Sequence, residues 1–399
     1  MGLCSRLKNM KSYSRGIAKA QAATIIVALI IAGAAGFYLI GTQPQNQQST
    51  SQSSTQSSTQ STTQSSTQST TQPTIDPRLA AAKGEGGLTI YSSVDVADFA
   101  VIQKAFEVKY PDLAGKITFL NMRPPEAYSR ITSELQGGKP TADMVILSYT
   151  TAQQLQKDKL FMAYKSKELS GYSASLYDAN GTWASAILLP VGFGYNTQLV
   201  SKADVPKTLS QVTDPKWAGK VEYHTLIGGS VGTQYVSSMK ECCLNDADYN
   251  AFLSGLKAVN AKPSTSVSAI SDDLAKGEVA IGVAVYLHDI TRLKGQGAPV
   301  DFFLPQGIPL LTVPSTISIM KGVTSPNLAQ LLEDYILSVE GQKVIGNIDV
   351  RFPARTGITD VKYSAETAVP GAQIKIFPSS DIATRSSALA ANFKAMGFG

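Results

Sequence analysis

The sequence predicts an α/β protein of two lobes, each a mostly parallel sheet flanked by helices, standing behind an apolar segment and a polar spacer. Three observations carry this. Short apolar runs of strand type alternate with helix-period patterns from about Leu88 onward, a succession that calls for a parallel sheet covered on both faces. Some 320 residues follow Leu79, too many for one typical core and comfortable for two. The residues before Thr74 hold only basic, apolar and Ser/Thr/Gln-rich stretches.

Residues Ala22 to Ile40 are nineteen positions without a charge, and as a helix they span roughly 28 Å, close to a bilayer's hydrocarbon thickness. Arg6, Lys8, Lys11, Arg15 and Lys19 precede them, and no acid occurs before Asp76. By the positive-inside rule the N-terminus is cytoplasmic and everything beyond Ile40 is outside. A cleaved signal peptide is the competing reading, with Ala32, Ala34 and Ala35 as small cleavage-site residues. Both readings put the remainder on the outer face of the membrane. The whole chain has 35 Lys and Arg against 30 Asp and Glu, and removing the five leading cations leaves 30 against 30. The basic balance therefore reports targeting and gives no reason to expect a nucleic-acid partner.

Gln recurs every fourth position from Gln48 to Gln72, among Ser and Thr. Such a stretch cannot bury enough apolar surface to offset the entropy of ordering it. It is a tether, and its hydroxyls are dense enough to carry O-linked sugar.

Beyond the tether, Gly87–Ser93 reads as a strand, followed by a helix over Asp95–Tyr110 with Phe99, Ile102 and Phe106 on one face. Strand-like residues 116–121 precede a helix at Pro125–Gln136, and residues 142–148 precede one at Thr151–Lys159. Parallel sheets bind ligands beyond the carboxyl ends of their strands. That directs attention to Ser92, Ser93 and Asp95 after one strand and to Ser148 and Tyr149 after another; a helix cap is the plainer role for each.

The inventory of reactive groups is thin: two histidines about sixty residues apart, His224 and His288, and no nucleophile-elbow, zincin, Walker or dinucleotide-loop pattern. Nothing pairs a nucleophile with a base, so the chain is not expected to be an enzyme. Of three cysteines, Cys242 and Cys243 are adjacent. Neighbouring Cα atoms sit closer than a disulfide usually spans, so two reduced, packed thiols are the default, with a vicinal disulfide or a metal thiolate site as the minority readings. The element with most physical content is His224–Met239, where Gly228, Gly229 and Gly232 surround Ser230 ahead of a helical pattern. Free backbone N–H groups at a helix start form an anion site. A β-α turn capped by Ser230 explains the same residues.

Six stretches taken in order (109–121, 143–148, 188–200, 214–221, 276–285 and 336–347) resemble extracellular solute-binding proteins of ABC importers. The resemblance is to the ferric-iron-type family, with its relatives for thiamine, phosphonates and polyamines, and covers nearly all of Leu88–Thr356. It implies a periplasmic-binding-protein-like fold of two lobes joined by two hinge crossings, closing over ligand like a clam shell. The expected organisation is 1–21 basic segment or signal, 22–40 transmembrane anchor and 41–78 disordered linker. Lobe one takes 79–190 and 310–399, lobe two takes 195–303, and the crossings are 190–195 and 304–310. The Pro and Gly residues of the crossings suit hinges, and the C-terminal helix pattern Ser380–Met396 is expected to pack across lobe one. Lys19-Ala20-Gln21 also resembles the pilin-like signal of archaeal surface binding proteins, which is cut before an anchor helix that is kept.

The resemblance divides on metal. Iron-binding members hold ferric ion with a tyrosine pair that falls here on Leu287-His288, just after Tyr286, so the pair is missing. Asp95 is the sole acidic candidate in lobe one, and Tyr286, His288 and Asp289 remain as a hard-metal set. The expectation is no cofactor, with ferric iron plus an anion left open. The family's anion loop falls on Ser230-Val231-Gly232, which implies a phosphate-bearing or carboxylate ligand on Gly229, Ser230, Val231, Gly232 and Thr233, closed over by Tyr286 or His288. Tyr149, Tyr195 and Tyr286 are cleft aromatics in this scheme. Glycines there are expected to admit the ligand, so that Gly232→Val blocks it and leaves the fold largely intact. The partners implied are a permease and an ATPase, with the protein a monomer outside the cell. A surface enzyme on the same fold, and a ligand sensor or adhesion stalk, are the other readings.

Overall fold

A computed structural model describes residues 76–227, 230–348, 350–376 and 382–398. The expected basic segment, anchor and most of the linker lie outside them, as does Gly229. Among the described residues no helix is long and apolar enough to cross a membrane.

Among the described residues eleven strands form one mixed sheet. They are β1 (Leu88–Ser92), β2 (Ile117–Asn121), β3 (Met144–Ser148), β4 (Ala184–Asn196), β5 (Val221–His224), β6 (Lys262–Ser264), β7 (Ile281–Tyr286), β8 (Val300–Phe303), β9 (Leu310–Ile319), β10 (Phe352–Pro353) and β11 (Ile374–Ile376). The main path runs β2-β1-β3-β9-β4-β7-β5-β6. β1 lies parallel to both β2 and β3, and β5 parallel to both β6 and β7. These two parallel blocks are the sheets of the two lobes, and the antiparallel pair β4 and β9 joins them. Helices Val96–Lys109, Pro124–Gln136 and Tyr149–Lys157 accompany the first block, starting within a residue or two of the boundaries read from sequence.

Each lobe is built around a main core. Phe99, Ile102 and Phe106 are buried with Leu88, Ile90, Ile146 and Ile317 in the first. Phe193, Val221, Tyr235, Phe252 and Val283 form the second. The side chains buried in these clusters are aliphatic and aromatic groups at strand and helix periods, each worth about 1.5–3 kcal/mol when removed from water.

β4 is the element both lobes share. Its first half pairs with β9 from Ala184 to Val191, and its second half pairs with β7 and β8 from Val191 to Asn196. Gly192, read from sequence as a hinge residue, also has a packing role: a Cβ there would stand 2.2 Å from the Phe302 ring.

Two expectations are corrected and one is extended. Cys242 and Cys243 are joined as a vicinal disulfide with Cα atoms 3.7 Å apart. Cys243 lies just past the helix Val231–Cys242, with φ −147° and ψ −21°, free of the helical geometry that would hold the two side chains apart. The C-terminal helix Ile382–Ala395 meets Tyr149–Lys157 of lobe one and also Val231–Cys242 of lobe two, and Phe393 and Phe398 belong to the second core. Gly232 admits a close approach of protein: a Cβ there would meet the His224 carbonyl oxygen at 2.0 Å, so Gly232→Val cannot leave the fold intact.

Candidate functional site

Strand register brings three loops to one place. Ser148, the last residue of β3, is level with Ser315 on β9, which is level with Ile187 on β4. Tyr286, the last residue of β7, is level with Val191. The carboxyl ends of a lobe-one strand and a lobe-two strand thus meet the same short stretch of β4, about 13 Å long at 3.3 Å per residue. β1 ends beside β3, with Ser92 level with Ile146. A bulge precedes the end of β7, where Ala284 takes φ 63° and the pairing with β4 shifts between Gly192 and Phe193. Bulges of this kind re-aim the residues that follow.

Helices begin directly at these strand ends. Asp95 is the N-cap of Val96–Lys109, Ser148 of Tyr149–Lys157 and Tyr286 of Leu287–Gly295, and none of the three side chains makes a capping hydrogen bond. The first N–H groups of an α-helix have no partner within it, and they carry its positive dipole end. Ser148 Oγ instead meets the hydroxyls of Thr150 and Thr151 at 3.3 and 3.1 Å. Asp95 turns its carboxylate to Arg351 at 2.8 Å.

The remaining residues singled out from sequence divide clearly. Ser92 is fully buried, donates to the Ile146 carbonyl and accepts from the Val94 N–H, so it shapes the loop. Ser93 is half-buried and donates its backbone N–H to the same carbonyl. Tyr149 is buried with its ring edge-on to Trp183, accepts from the Gln153 amide, and has its pKa pushed up to about 12 by burial. Tyr195 packs edge-on against Phe303 in the second core.

At the end of β5, the Ser230 hydroxyl and the Gly232 and Thr233 N–H groups are engaged by protein. Ser230 Oγ donates to the Thr225 carbonyl and accepts from the Thr233 N–H at 3.1 Å, so it is an N-cap. The Gly232 N–H donates to Nδ1 of His224 at 3.1 Å. Thr233 is fully buried and Val231 half-buried.

Tyr286 and His288 stack with ring centroids 4.9 Å apart. Burial raises the Tyr286 phenol and, with Arg351 and Arg292 nearby, drives His288 well below the usual histidine range. Both rings are therefore neutral at physiological pH. His288 is 9% exposed, and its Nδ1 is buried without a hydrogen-bond partner. Asp289 accepts from Ser268 at 3.1 Å and from Arg292 at 3.4 Å, and burial raises its pKa. Among the described residues no three His, Cys, Asp or Glu side chains group to hold a metal.

Sequence reasoning missed Arg351. Its guanidinium donates from Nε and Nη2 to Asp98 at 3.0 and 2.7 Å and from Nη2 to Asp95, with only 5% of the residue exposed. Its partners lie more than 250 positions away, so no local pattern marks it.

The family model for bacterial extracellular solute-binding proteins matches residues 139–384, more than half of the chain. The chain belongs to this family. As a solute-binding protein it is the component that receives a small solute for an ABC importer. A putative 2-aminoethylphosphonate-binding periplasmic protein of Salmonella typhi is 24% identical over 299 residues, covering 72% of this chain and 86% of that one. Among solved structures, iron-bound HitA from Pseudomonas aeruginosa matches with TM-score 0.61 and 23% identity, covering 77% of this chain and 99% of that one. AfuA from Actinobacillus pleuropneumoniae, with fructose-6-phosphate bound, matches with TM-score 0.60 and 20% identity over 77% of this chain and 98% of that one. These likenesses establish the two-lobed binding-protein fold.

Proposed function

We propose that this solute-binding protein captures a small phosphate- or phosphonate-bearing anion at the carboxyl ends of β1, β3 and β7 and releases it intact to a permease. The observation that carries the reading is the trio of helix starts at Val96, Tyr149 and Leu287 whose N-cap side chains make no capping bond. Helix N-termini of this kind take anions, and two lobes supplying them give closure a cause. The 2-aminoethylphosphonate-binding relative and the fructose-6-phosphate complex support the ligand class. The sequence residues this assigns to the solute are Ser93, Ser148, Tyr286 and His288, with the Ser230 loop as a supporting wall.

The same reading takes residues 22–40 as a single-pass anchor and 41–78 as a tether that holds a monomeric binding domain outside the cell. A chain begun at Asp76 should then leave the membrane fraction.

Isothermal calorimetry with inorganic phosphate, 2-aminoethylphosphonate, fructose 6-phosphate and citrate tests the ligand class. Saturable binding of a phosphoryl or phosphonyl anion, recovered without hydrolysis, is the expected result. Binding of none of them sinks the reading, and turnover would favour a surface enzyme on this fold.

A further inference from the structure

Arg351 occupies a position that no loop motif explains. Phe352, the next residue, pairs with Leu188 of β4, and Tyr286 pairs with Val191. Arg351 therefore falls in the three-residue interval of β4 that separates the two pairings, about 10 Å at most. Val350 before it has φ 43°, a left-handed conformation disfavoured for a β-branched side chain. Ile348, Val350 and Phe352 are all buried in the first core, which also includes Leu287 from the start of the lobe-two helix. The backbone is thus bent and pinned on both sides of the guanidinium.

The charges around that guanidinium come from both lobes. Asp95 and Asp98 at the end of β1 hold Nε and Nη2, and Tyr286, His288 and Asp289 lie within its electrostatic reach. Carboxylate, phenol and imidazole are the donor types that hold a hard cation. Here a fixed cation already stands among them, and Nδ1 of buried His288 has no hydrogen-bond partner, while its Nε2 lies 3.9 Å from the Asp289 carboxylate. A metal ion entering would have to displace that guanidinium from Asp95 and Asp98 and leave a buried charge without its partners.

We infer that Arg351 is the resident cation of this site and the residue that decides its cargo, excluding ferric ion and favouring an anion. The inference rests on the reading that the β1 and β7 loops bound the solute site, but not on which anion fills it. Arg351 spends Nε and Nη2 of its fork on Asp95 and Asp98. Lysine would keep the charge and lose the fork.

The test uses the full chain and its Arg351→Gln and Arg351→Lys variants, with ferric nitrilotriacetate as the metal probe. Visible absorbance from a tyrosinate-to-iron band reports metal, and far-ultraviolet dichroism and melting report folding. Wild type and Arg351→Lys should show no band, and Arg351→Gln should gain it or bind iron at least tenfold more tightly. An iron band in wild type overturns the inference, and so does its absence from a folded Arg351→Gln. Whichever phosphoryl anion wild type binds should lose at least tenfold in affinity with Arg351→Gln; unchanged affinity also overturns it. Failure of every anion on wild type would instead count against the proposed ligand class, leaving the iron comparison to decide the role of Arg351.

Discussion

The backbone N–H of Gly232 donates to Nδ1 of His224, eight residues earlier, and the two backbones are in contact at that point. A Cβ on residue 232 would press on the His224 and Thr225 carbonyls at 2.0 and 2.7 Å. Gly232→Ala should therefore cost about 1–3 kcal/mol, a fall of roughly 2–4 °C in melting temperature per kcal/mol for a domain of this size. Gly84→Ala, with no heavy atom within 4 Å, is the control and should change stability by less than about 0.5 kcal/mol. Equal melting temperatures for the two variants would remove the close contact.

His224 also sets a pH dependence. Burial pushes its pKa down to about 4, so the unfolded chain takes up this proton first. The stability linked to His224 is complete above its unfolded value near 6.5 and is lost as pH falls toward 4, on the order of 3 kcal/mol in full. Glu222, two residues earlier, runs the other way: burial, with Asp273 beside it, raises its pKa to about 7. Its stabilisation is complete below 4.5 and is lost as pH rises to 7. Relative to wild type, His224→Gln should gain stability on acidification through the first window. Glu222→Gln should gain it on alkalinisation through the second. Urea midpoints measured across pH 4 to 7 check both signs.

Arg78 anchors the first described helix to lobe one. It donates to Asp334 at 2.6 Å and to the Tyr164 hydroxyl at 2.6 Å, while Tyr164 and Ser166 donate to the other Asp334 oxygen. Arg78→Ala strands a buried carboxylate whose two hydroxyl donors remain, and should cost about 3 kcal/mol. Urea denaturation at pH 7 measures it; a loss under about 0.5 kcal/mol would mean the pair holds nothing.

Closure over solute should be visible in solution. Small-angle scattering is expected to give a smaller radius of gyration with saturating anion than without. An unchanged radius would favour a rigid stalk domain.

Much of this fold was legible from local pattern. Phe99, Ile102 and Phe106 recur at helical spacing and are all buried, and strand–helix alternation located the ends of β1 and β3. The site was legible only as a set of loops. Ser230 with three glycines reads equally as an anion cradle or a self-capped turn, because both need a hydroxyl at a helix start; here that hydroxyl donates to the Thr225 carbonyl and caps the helix. Gly232 was read as an opening for ligand when the group approaching it is a backbone carbonyl. Arg351 meets Asp98 across 253 positions, a contact that exists only once β10 is laid against β4. The Cys242–Cys243 bond depends on where a helix ends, which spacing alone does not fix.

The thirteen residues of β4 are a single strand that pairs into both lobes. Neither lobe can melt while the other keeps its sheet whole, because each would strip the other of an inner strand. Calorimetry of this protein should accordingly show one endotherm whose van't Hoff and calorimetric enthalpies agree, although its shape suggests two. Solute at one mouth would then protect amides at the far edges of both sheets, and slow exchange at β2 and β6 would report occupancy from a distance.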